Sequence, residues 1–301
     1  MTDRPFVSII VPAYNAARTI AACVRSLITL DYGRQHHEVL VVDNGSTDDT
    51  AKIAASFPVR VLSEPARGSY AARNCGAHHA KGEILAFTDT DCVAAASWLT
   101  RLVAGFDEPD VACVAGEVLS PPSATPIEEY ARRRNLMSQV NTLRHRYLPY
   151  PITANCAYRA EIFWQLDGFR EDMLTGGDAD LAWRMQKDLG CKLAFVPGAV
   201  VMHHHRATLR DLMRQSSKYA RGAMDLGRRH GLSGPHLARR IAGIGTATLH
   251  ALGGVPLRWV WNRRRDPAAW MEPVCDLAWR LGEVAGMLAW YRAQMAGGKS
   301  T

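Results

Sequence analysis

Two aspartates separated by one residue are the feature of this sequence most typical of metal and phosphate chemistry. Asp89 and Asp91 directly follow the apolar run 84–88. Two carboxylates at positions i and i+2 beyond a strand can bind one hard cation, Mn²⁺ or Mg²⁺, which neutralises a diphosphate. Because aspartates are common in turns, the pattern alone is a weak signal, and its place at the end of an apolar strand strengthens it.

Asp43 is a candidate for binding a nucleobase or a ribose. It ends a second apolar run, 38–42, and is followed by Asn44 and Gly45. A carboxylate at the end of a strand can accept hydrogen bonds from a base N–H or a ribose hydroxyl. The residues that follow it also suit a turn, with Thr47 as the cap of the next helix.

A glycine between two arginines offers a second nucleotide contact. Gly68 precedes a predicted helix of small residues, which suits close approach of the backbone to a nucleotide. Either Arg67 or Arg73 could face phosphate. The alternative, favoured for each arginine taken alone, is an ordinary surface position.

Asp178 is the candidate general base. The sequence Gly176-Gly177-Asp178-Ala179-Asp180 leads into an amphipathic helix. We expect the helix dipole to keep the pKa of Asp178 low, so that its carboxylate can accept the proton of an acceptor hydroxyl. Asp180 fits dipole compensation or orientation, and the alternative for Asp178 is an ordinary N-cap.

Three consecutive histidines could add a ligand to the aspartates. His203, His204 and His205 follow a predicted strand. If the backbone there is extended, His203 and His205 share a face and His204 opposes them. One of them could complete the coordination of a metal bound by Asp91, and a polar strand end is the equally favoured alternative.

Alternating strands and helices position these residues. Short β-branched runs predict strands, and 3.6-residue periodicity predicts helices. The predicted strands of the first part are 6–11, 38–42, 59–62 and 84–88, and the helices between them are 16–30, 47–57 and 69–80. This order predicts a parallel sheet whose carboxyl edge brings together Asn15, Asp43, Arg67 to Asn74 and Asp89 to Asp91.

The later elements are less regular. We predict strands at 111–118 and 193–201, helices at 127–146, 161–166 and 179–189, a Pro-punctuated stretch at 148–155, and mainly helix from residue 208 onward. We therefore divide the chain into a catalytic domain, 1–225, and a helical extension, 226–301.

The extension is basic. From His203 to the end there are 16 Lys and Arg against 6 Asp and Glu, whereas the rest of the chain is slightly acidic. Trp259, Trp261, Trp270, Trp279 and Trp290 are interleaved with the arginines. This composition suggests an anionic membrane surface or a lipid-linked acceptor as partner, with an equally favoured solvated basic helical face, a helical cap on the core or a homodimer as alternatives. Nucleic acid is a further anionic candidate, but it is not expected as a partner.

The remaining composition indicates a cytoplasmic protein, with peripheral membrane association as one role of the extension. The seven cysteines form no Cys-X-X-Cys pair, which is typical of reduced thiols. No signal peptide or transmembrane segment is expected. The longest charge-free stretch near the C-terminus, 241–257, contains several glycines and a proline.

Taken together, these motifs resemble the family 2 glycosyltransferases of the GT-A fold, which are typically inverting. The matching stretches are 7–15 (VSIIVPAYN), 38–48 (EVLVVDNGSTD), 71–77 (AARNCGA), 81–91 (KGEILAFTDTD), 168–171 (GFRE) and 178–184 (DADLAWR). They occur in order across about two thirds of the chain, and their joint occurrence makes the match specific.

The resemblance implies a role for each residue. The donor nucleotide is expected to contact Pro12, Ala13, Tyr14, Asn15, Asp43, Arg67, Gly68, Arg73, Asp89 and Thr90. Asp91, with Asp89 and His203, is expected to bind Mn²⁺ or Mg²⁺, and Asp178 stands where the family has its catalytic base. Asn155, Gly177 and Asp180 are expected on the acceptor side.

One departure concerns the acceptor. Family members often have Glu-Asp where this chain has Gly177-Asp178, so a carboxylate next to the expected base is missing. The predicted reaction moves a sugar from a nucleoside-diphosphate sugar, with UDP-sugars favoured, to a carbohydrate, lipid-linked or small-molecule acceptor. A nucleotidyltransferase and a non-catalytic nucleotide-sugar-binding protein are the alternatives.

Overall fold

The computed structural model describes residues 4–232, 237–262, 266 and 269–297. Trp259 and Trp261, which belong to the tryptophans noted in the extension, have side chains outside the described residues.

Eight strands in the described part of the chain form one sheet. They are β1 (Val7–Ala13), β2 (His37–Asp43), β3 (Arg60–Ser63), β4 (Ile84–Thr88), β5 (Cys92–Ala94), β6 (Val111–Leu119), β7 (Asn155–Arg159) and β8 (Lys192–His203). Their order across the sheet is β3-β2-β1-β4-β7-β6-β8-β5.

The first four strands make the predicted parallel half of the sheet. In their register, Ala13 lies opposite Asp43, and Asp43 lies opposite Ser63. β4 also runs parallel to β1, so all four carboxyl ends reach the same edge. Beyond β4 the sheet is mixed, because β7 runs antiparallel to both β4 and β6, and β5 runs antiparallel to β8.

Helices connect these strands and continue beyond them. They are α1 (Ile20–Ile28), α2 (Thr50–Ala55), α3 (Ser69–His78), α4 (Trp98–Ala104), α5 (Pro126–Arg133), α6 (Gln139–Leu143), α7 (Ala160–Gln165), α8 (Gly177–Asp188), α9 (Leu209–Arg229), α10 (Leu237–Asn262) and α11 (Glu272–Gly297).

The core of the first unit lies on both faces of the sheet. On one face, alternate β1 residues such as Ile9 and Val11 pack with α1 and α4, including Val24 and Trp98. On the other face, Phe87 contacts Phe163 and Phe169 edge to face or tilted, at centroid distances of 5.7 and 5.3 Å. Burial on both faces explains why these strands are continuous apolar runs.

The predicted cap of the second helix is wrong. Thr47 does not cap the second helix, because α2 begins at Thr50 with Asp49 at its N-cap. Thr47 instead directs its backbone N–H and its hydroxyl to the side-chain oxygen of Asn15. The turn beyond β2 is therefore held by a contact with a different loop.

Three elements were not predicted, and one predicted helix is broken. β5 and α4 were not predicted because both are short, with three and seven residues. β7 was not predicted because it follows a Pro-punctuated stretch. The helix expected at 127–146 divides into α5 and α6. Asn135 adopts a positive φ of 50°, which a continuous α-helix does not accommodate.

The chain divides into two compact units. The first contains residues 1–121, 137–173 and 177–204, and the second contains 122–136, 174–176 and 205–301. This boundary differs from the one predicted after residue 225, because α9 continues without interruption through that position. The second unit also includes α5, which lies far earlier in the sequence.

Ion pairs and apolar contacts hold the second unit together internally. Arg134 pairs with Asp276 on α11 at 2.7 Å, and the Tyr130 hydroxyl donates to the same carboxylate at 2.8 Å. Tyr130 also packs with Leu212 of α9 and Cys275 of α11. The run of three arginines on α5 is thus committed largely to acidic partners within this unit.

Among the described residues, no helix has the length and apolarity needed to cross a membrane. All seven cysteines are free thiols, as predicted, and five of them are buried.

The first prediction concerns Gly82, in the turn before β4. A Cβ at this position would lie 2.4 Å from the Ser8 nitrogen and 2.7 Å from the Ile84 carbonyl oxygen. Since backbone atoms cannot rotate away, we expect Gly82→Ala to lower the free energy of unfolding by about 2 kcal/mol or more.

Gly245→Ala is the matched control, because a Cβ there meets nothing within 4 Å and the residue lies inside α10. It should be neutral or stabilising by up to about 1 kcal/mol. Thermal and urea unfolding would measure both variants, and an unchanged melting temperature for Gly82→Ala would contradict the packing described.

Candidate active site

The turn between β4 and β5 contains both aspartates, which face different partners. Asp89 forms an ion pair with Arg73 of α3, at 2.5 Å between Nη2 and Oδ1. Arg73 is 4% exposed, so its guanidinium is a buried cation beside a partly exposed carboxylate. The surface position favoured for this arginine is therefore wrong. Thr90, in the middle of the turn, is partly buried.

Asp91 faces His203 at the end of β8. The His203 Nε2 atom lies 3.5 Å from Asp91 Oδ1, and both side chains are largely buried. β8 brings the histidine there because its antiparallel pairing with β5 places His203 opposite Cys92. His204, the next residue, is exposed. Of these two histidines, His203 is the one that faces Asp91.

Asp91 and His203 can contribute a pair of ligands to a metal site. In the described part of the chain, no three His, Cys, Asp or Glu side chains converge as a metal site. Asp89, expected as an additional ligand, forms an ion pair with Arg73, and its part in metal binding stays a prediction. A carboxylate and an imidazole are suitable ligands for Mn²⁺, and a ligand such as a diphosphate would have to complete the coordination.

Asp43 presents a carboxylate oxygen to the carboxyl edge of the sheet. Its Oδ2 atom accepts a hydrogen bond from the Ser46 N–H at 3.3 Å. Its Oδ1 atom is buried and has no hydrogen-bond partner in the protein. Buried polar atoms are nearly always satisfied in native proteins, so this oxygen indicates a ligand or water at that position.

The end of β1 borders the same edge. Pro12 and Ala13 are its last two residues, and Tyr14 beyond them is half exposed. Asn15 has a positive φ of 48° and binds the next loop through Thr47. The residues that end β1 and follow it therefore lie next to Asp43, and their contact with a nucleoside stays a prediction.

Arg67 and Gly68 lie on the loop before α3. Arg67 donates a hydrogen bond to the Tyr14 hydroxyl at 2.8 Å, and its guanidinium lies 5.1 Å from the centre of that ring. Gly68 donates its N–H to Asn44 Oδ1 at 2.9 Å. An exposed cation and an aromatic ring thus stand together beside the predicted nucleoside pocket, where they could stack on a base.

Asp178 is the second residue of α8, and its electrostatic environment differs from the one expected. Burial raises the pKa of its carboxyl, although the Ala179 N–H, which donates to Oδ1 at 3.0 Å, and the Arg73 charge both lower it. The expectation of a low pKa is therefore wrong, because desolvation outweighs the N-terminal helix field. A raised pKa makes the ionised carboxylate a stronger base.

Two residues expected on the acceptor side have their polar atoms occupied by protein. Asn155 is fully buried, accepts from the Trp98 indole N–H at 2.7 Å and donates to the carbonyls of Glu117 and Ala199. Asp180 is fully buried and pairs with Arg170 and Arg184. Neither side chain offers a surface to a ligand in this conformation, because each is buried and bonded to partners within the protein.

Three polar side chains near the site make contacts that the sequence did not indicate. Asn44 donates to the carbonyls of Glu64 and Ala66, which holds the loop that carries Arg67. The Asn74 side chain donates to the Phe169 carbonyl and accepts from the Phe169 N–H. Tyr70 accepts a hydrogen bond from the Gly177 N–H at 2.8 Å. Each of these partners is distant in sequence, so no local pattern marks them.

Sequence comparison identifies relatives for this arrangement. The Glycosyl transferase family 2 model matches residues 8–167. A glycosyltransferase, AglE, of Haloferax volcanii is 31% identical over 230 residues, which cover 74% of both chains. The pre-mycofactocin glycosyltransferase of Mycobacterium tuberculosis is 31% identical over 235 residues, and the match spans 74% of this chain and 48% of that relative.

Solved structures show the same fold. A mannosyltransferase from Pyrobaculum calidifontis, solved in complex with GDP-Man and Mn²⁺, matches with a TM-score of 0.63 and 21% identity. That match covers 94% of this chain and 88% of the other. The M. tuberculosis glucosyl-3-phosphoglycerate synthase, solved with Mn²⁺, UDP and phosphoglyceric acid, matches with a TM-score of 0.57 and 24% identity, over 76% of this chain and 80% of that one. The fold is GT-A, as expected from the sequence.

The second prediction tests the pair of metal ligands. We expect His203→Ala to weaken Mn²⁺ binding in the presence of a nucleoside diphosphate by about tenfold or more, because it removes a buried imidazole next to Asp91. His204→Ala is the matched control, since His204 is adjacent and exposed, and it should bind Mn²⁺ as the wild type does. Manganese titration followed by electron paramagnetic resonance would measure both, and equal affinities in the two variants would contradict the assignment.

Proposed function

This chain belongs to glycosyl transferase family 2, and we propose that it transfers a sugar from a nucleoside-diphosphate sugar to an acceptor hydroxyl with inversion. The family match and the structural relatives show that the chain is a glycosyltransferase with the GT-A fold. The donor, the metal and the catalytic base are the proposal.

The main support for this proposal is that several charged groups lie together at the carboxyl edge of β1, β2 and β4. Asp43 leaves a buried oxygen without a protein partner, Asp89 is paired with Arg73, and Asp91 faces His203. A nucleoside diphosphate presents hydrogen-bond donors at its base and ribose and negative charge at its phosphates. We propose that Asp43 and Asp89 serve the nucleoside side, and that Asp91 and His203 serve the phosphate side through a cation.

The residues present fit a divalent cation. Two ligand atoms that each lie about 2.1 Å from one ion are about 3 Å apart at a right angle and farther apart at wider angles. The 3.5 Å between Asp91 Oδ1 and His203 Nε2 agrees with such sharing. When bound, Mn²⁺ or Mg²⁺ would neutralise the charge of the leaving diphosphate. Relatives solved with Mn²⁺ support the same choice.

Asp178 is the proposed general base. Its carboxylate would accept the proton of the acceptor hydroxyl while that oxygen forms a bond to the anomeric carbon. The bond from that carbon to the diphosphate breaks on the opposite face, which inverts the configuration. Burial helps this role, because a desolvated carboxylate with a raised pKa has more to gain from accepting a proton.

The structural relatives indicate which nucleotide sugars to test as donors. The structural relatives were solved with GDP-Man and with UDP, so UDP- and GDP-sugars are the first donors to test. We propose a hydroxyl of a carbohydrate, lipid-linked or small-molecule acceptor as the group that receives the sugar. The family match favours sugar transfer over nucleotidyl transfer and over binding without catalysis.

The third prediction tests the base. A thermal-shift screen of UDP, GDP and dTDP with Mn²⁺ identifies the nucleotide, because a bound ligand raises the melting temperature. With the matching donor, we expect Asp178→Asn to lower kcat for sugar transfer by about 100-fold or more while the Kd for the nucleotide stays within about twofold. In the wild type, the rate should fall as pH decreases through the raised pKa of Asp178, at higher pH than for an ordinary carboxyl.

Asp188→Asn is the matched control, because Asp188 is an exposed aspartate at the opposite end of the same helix. Transfer by this variant should equal that of the wild type. Wild-type transfer rates retained in Asp178→Asn would reject the base assignment, and absence of transfer and hydrolysis with every donor would reject the proposed donor chemistry.

We further propose that the second unit contacts an anionic membrane surface. Within that unit, α10 exposes Leu249 and Leu252 at 71 and 72%, with Ile241 half exposed on the same helix. Large apolar side chains at this exposure, in a basic region, favour binding at a lipid–water interface. The homodimer alternative would cover the same residues with a second copy.

The fourth prediction follows from the exposure of Ile241, Leu249 and Leu252 on α10. The protein should float with vesicles that contain anionic lipid at low salt, and Leu249→Asp should reduce the floating fraction several-fold, because it places a charge among the apolar side chains. Neutral vesicles are the control and should bind less. A wild type that stays in the unbound fraction with anionic vesicles at low salt would reject membrane binding, and light scattering would then measure whether it is a dimer.

A further inference from the structure

Tyr70, a buried aromatic residue on α3, is held rigidly between two other side chains. Its ring stacks on Phe169 at a centroid distance of 5.3 Å and an interplanar angle of 27°. The Arg73 guanidinium lies 5.6 Å from the ring centre. Only 4% of Tyr70 is exposed, so its hydroxyl has a fixed position within the first unit.

The hydroxyl oxygen of Tyr70 meets the beginning of α8. It accepts a hydrogen bond from the Gly177 N–H at 2.8 Å. The first N–H groups of a helix lack partners within the helix, and a side-chain oxygen usually caps them from the residue just before. Here the capping oxygen comes from a tyrosine more than a hundred residues earlier, so α8 is anchored to α3 at its first turn.

The contact is close enough to explain why residue 177 is a glycine. A Cβ at Gly177 would lie 2.7 Å from two carbon atoms of the Tyr70 ring. The ring cannot rotate away, because Phe169 and Arg73 hold it. Family members often have a glutamate before the expected base. Here that position is a glycine, which leaves room for the Tyr70 ring.

The same group of residues connects the two sides of the site. Arg73, next to the Tyr70 ring, forms the ion pair with Asp89. Asp178 is the residue after Gly177 and lies within electrostatic range of both Tyr70 and Arg73. The position of Asp178 relative to Asp89 is thus determined through Tyr70 and Arg73.

We propose that Tyr70 is a positioning residue for sugar transfer, whose hydroxyl holds the first turn of α8 and thereby places Asp178 against the acceptor hydroxyl. This inference rests on the proposed function of Asp178 as the base. Tyr70 itself is not assigned a contact with substrate.

The test removes the hydroxyl and keeps the ring. Tyr70→Phe retains the stacking on Phe169 and the contact with Arg73 but loses the hydrogen bond to Gly177. We expect kcat for transfer to fall about tenfold to a hundredfold, because small displacements of a catalytic group cost this much. The KM for the donor and the Kd for the nucleotide with Mn²⁺ should stay within about twofold.

Tyr32→Phe is the matched control for loss of a buried hydroxyl. Tyr32 is 2% exposed, and its hydroxyl donates to the Pro5 carbonyl at 2.7 Å. This variant should lose stability to a similar degree while its kcat stays within about twofold of the wild type. If Tyr32→Phe lowers kcat as much as Tyr70→Phe does, the effect is one of general stability and the proposal is overturned.

A double variant distinguishes positioning of Asp178 from an effect elsewhere. In an Asp178→Asn background, Tyr70→Phe should lower the residual rate no further, because the group that it positions is already inactive. Independent, multiplying effects would overturn the proposal. Failure of the base assignment has a different signature, namely that Asp178→Asn alone transfers sugar at the wild-type rate.

Amide hydrogen exchange tests the contact without turnover. Tyr70→Phe should accelerate exchange in the peptide that contains the first turn of α8, since Gly177 loses its acceptor, and Tyr32→Phe should leave that peptide unchanged. Gly177→Ala approaches the same contact from the helix and should lower kcat with the donor KM preserved. Unchanged exchange in Tyr70→Phe would overturn the proposal, whatever the enzyme's activity.

Discussion

The buried Arg73 cation is the constraint on which the site depends. A guanidinium cannot lose its charge, so its burial requires an anion and hydrogen-bond acceptors nearby. Asp89 supplies the anion at 2.5 Å, and the Ser69 carbonyl accepts a second bond at 3.4 Å. This ion pair fixes α3 to the end of β4. In the proposed site, Asp89 then serves the nucleoside side, whereas Asp91 and His203 serve the metal side.

Side-chain amides hold the loops at the carboxyl edge of the sheet. Asn15 joins the loops after β1 and β2, Asn44 holds the loop before α3, and Asn74 binds the segment that carries Phe169. Asn44 and Asn74 are largely buried and use their donors and acceptors simultaneously. Such amides replace the hydrogen bonds that regular secondary structure would provide, and they keep an open, polar edge rigid without filling it.

The sequence predicted the parallel half of the sheet well, because strands buried on both faces are unbroken β-branched runs. β1, β2 and β4 lie within one or two residues of their predicted bounds. It also indicated Asp43, Asp91, His203 and Asp178 through their places at strand and helix ends. It could not predict that Arg73 is buried or that Tyr70 caps α8, since both depend on partners that only the tertiary fold brings close. The raised pKa of Asp178 was missed for the same reason, because desolvation depends on surroundings and the local helix field does not reveal them.

The antiparallel insertion of β7 beside β4 has a consequence for how the chain acquires its shape during synthesis. β1 to β4 are contiguous in sequence and pair only with one another until residues 155–159 are available. A nascent chain can therefore complete the parallel half early, but the Ile84–Thr88 strand then has one row of backbone groups unpaired. During that interval the apolar edge of β4 can pair with other chains. Pairing with β7 covers this edge and so protects the chain from aggregation there.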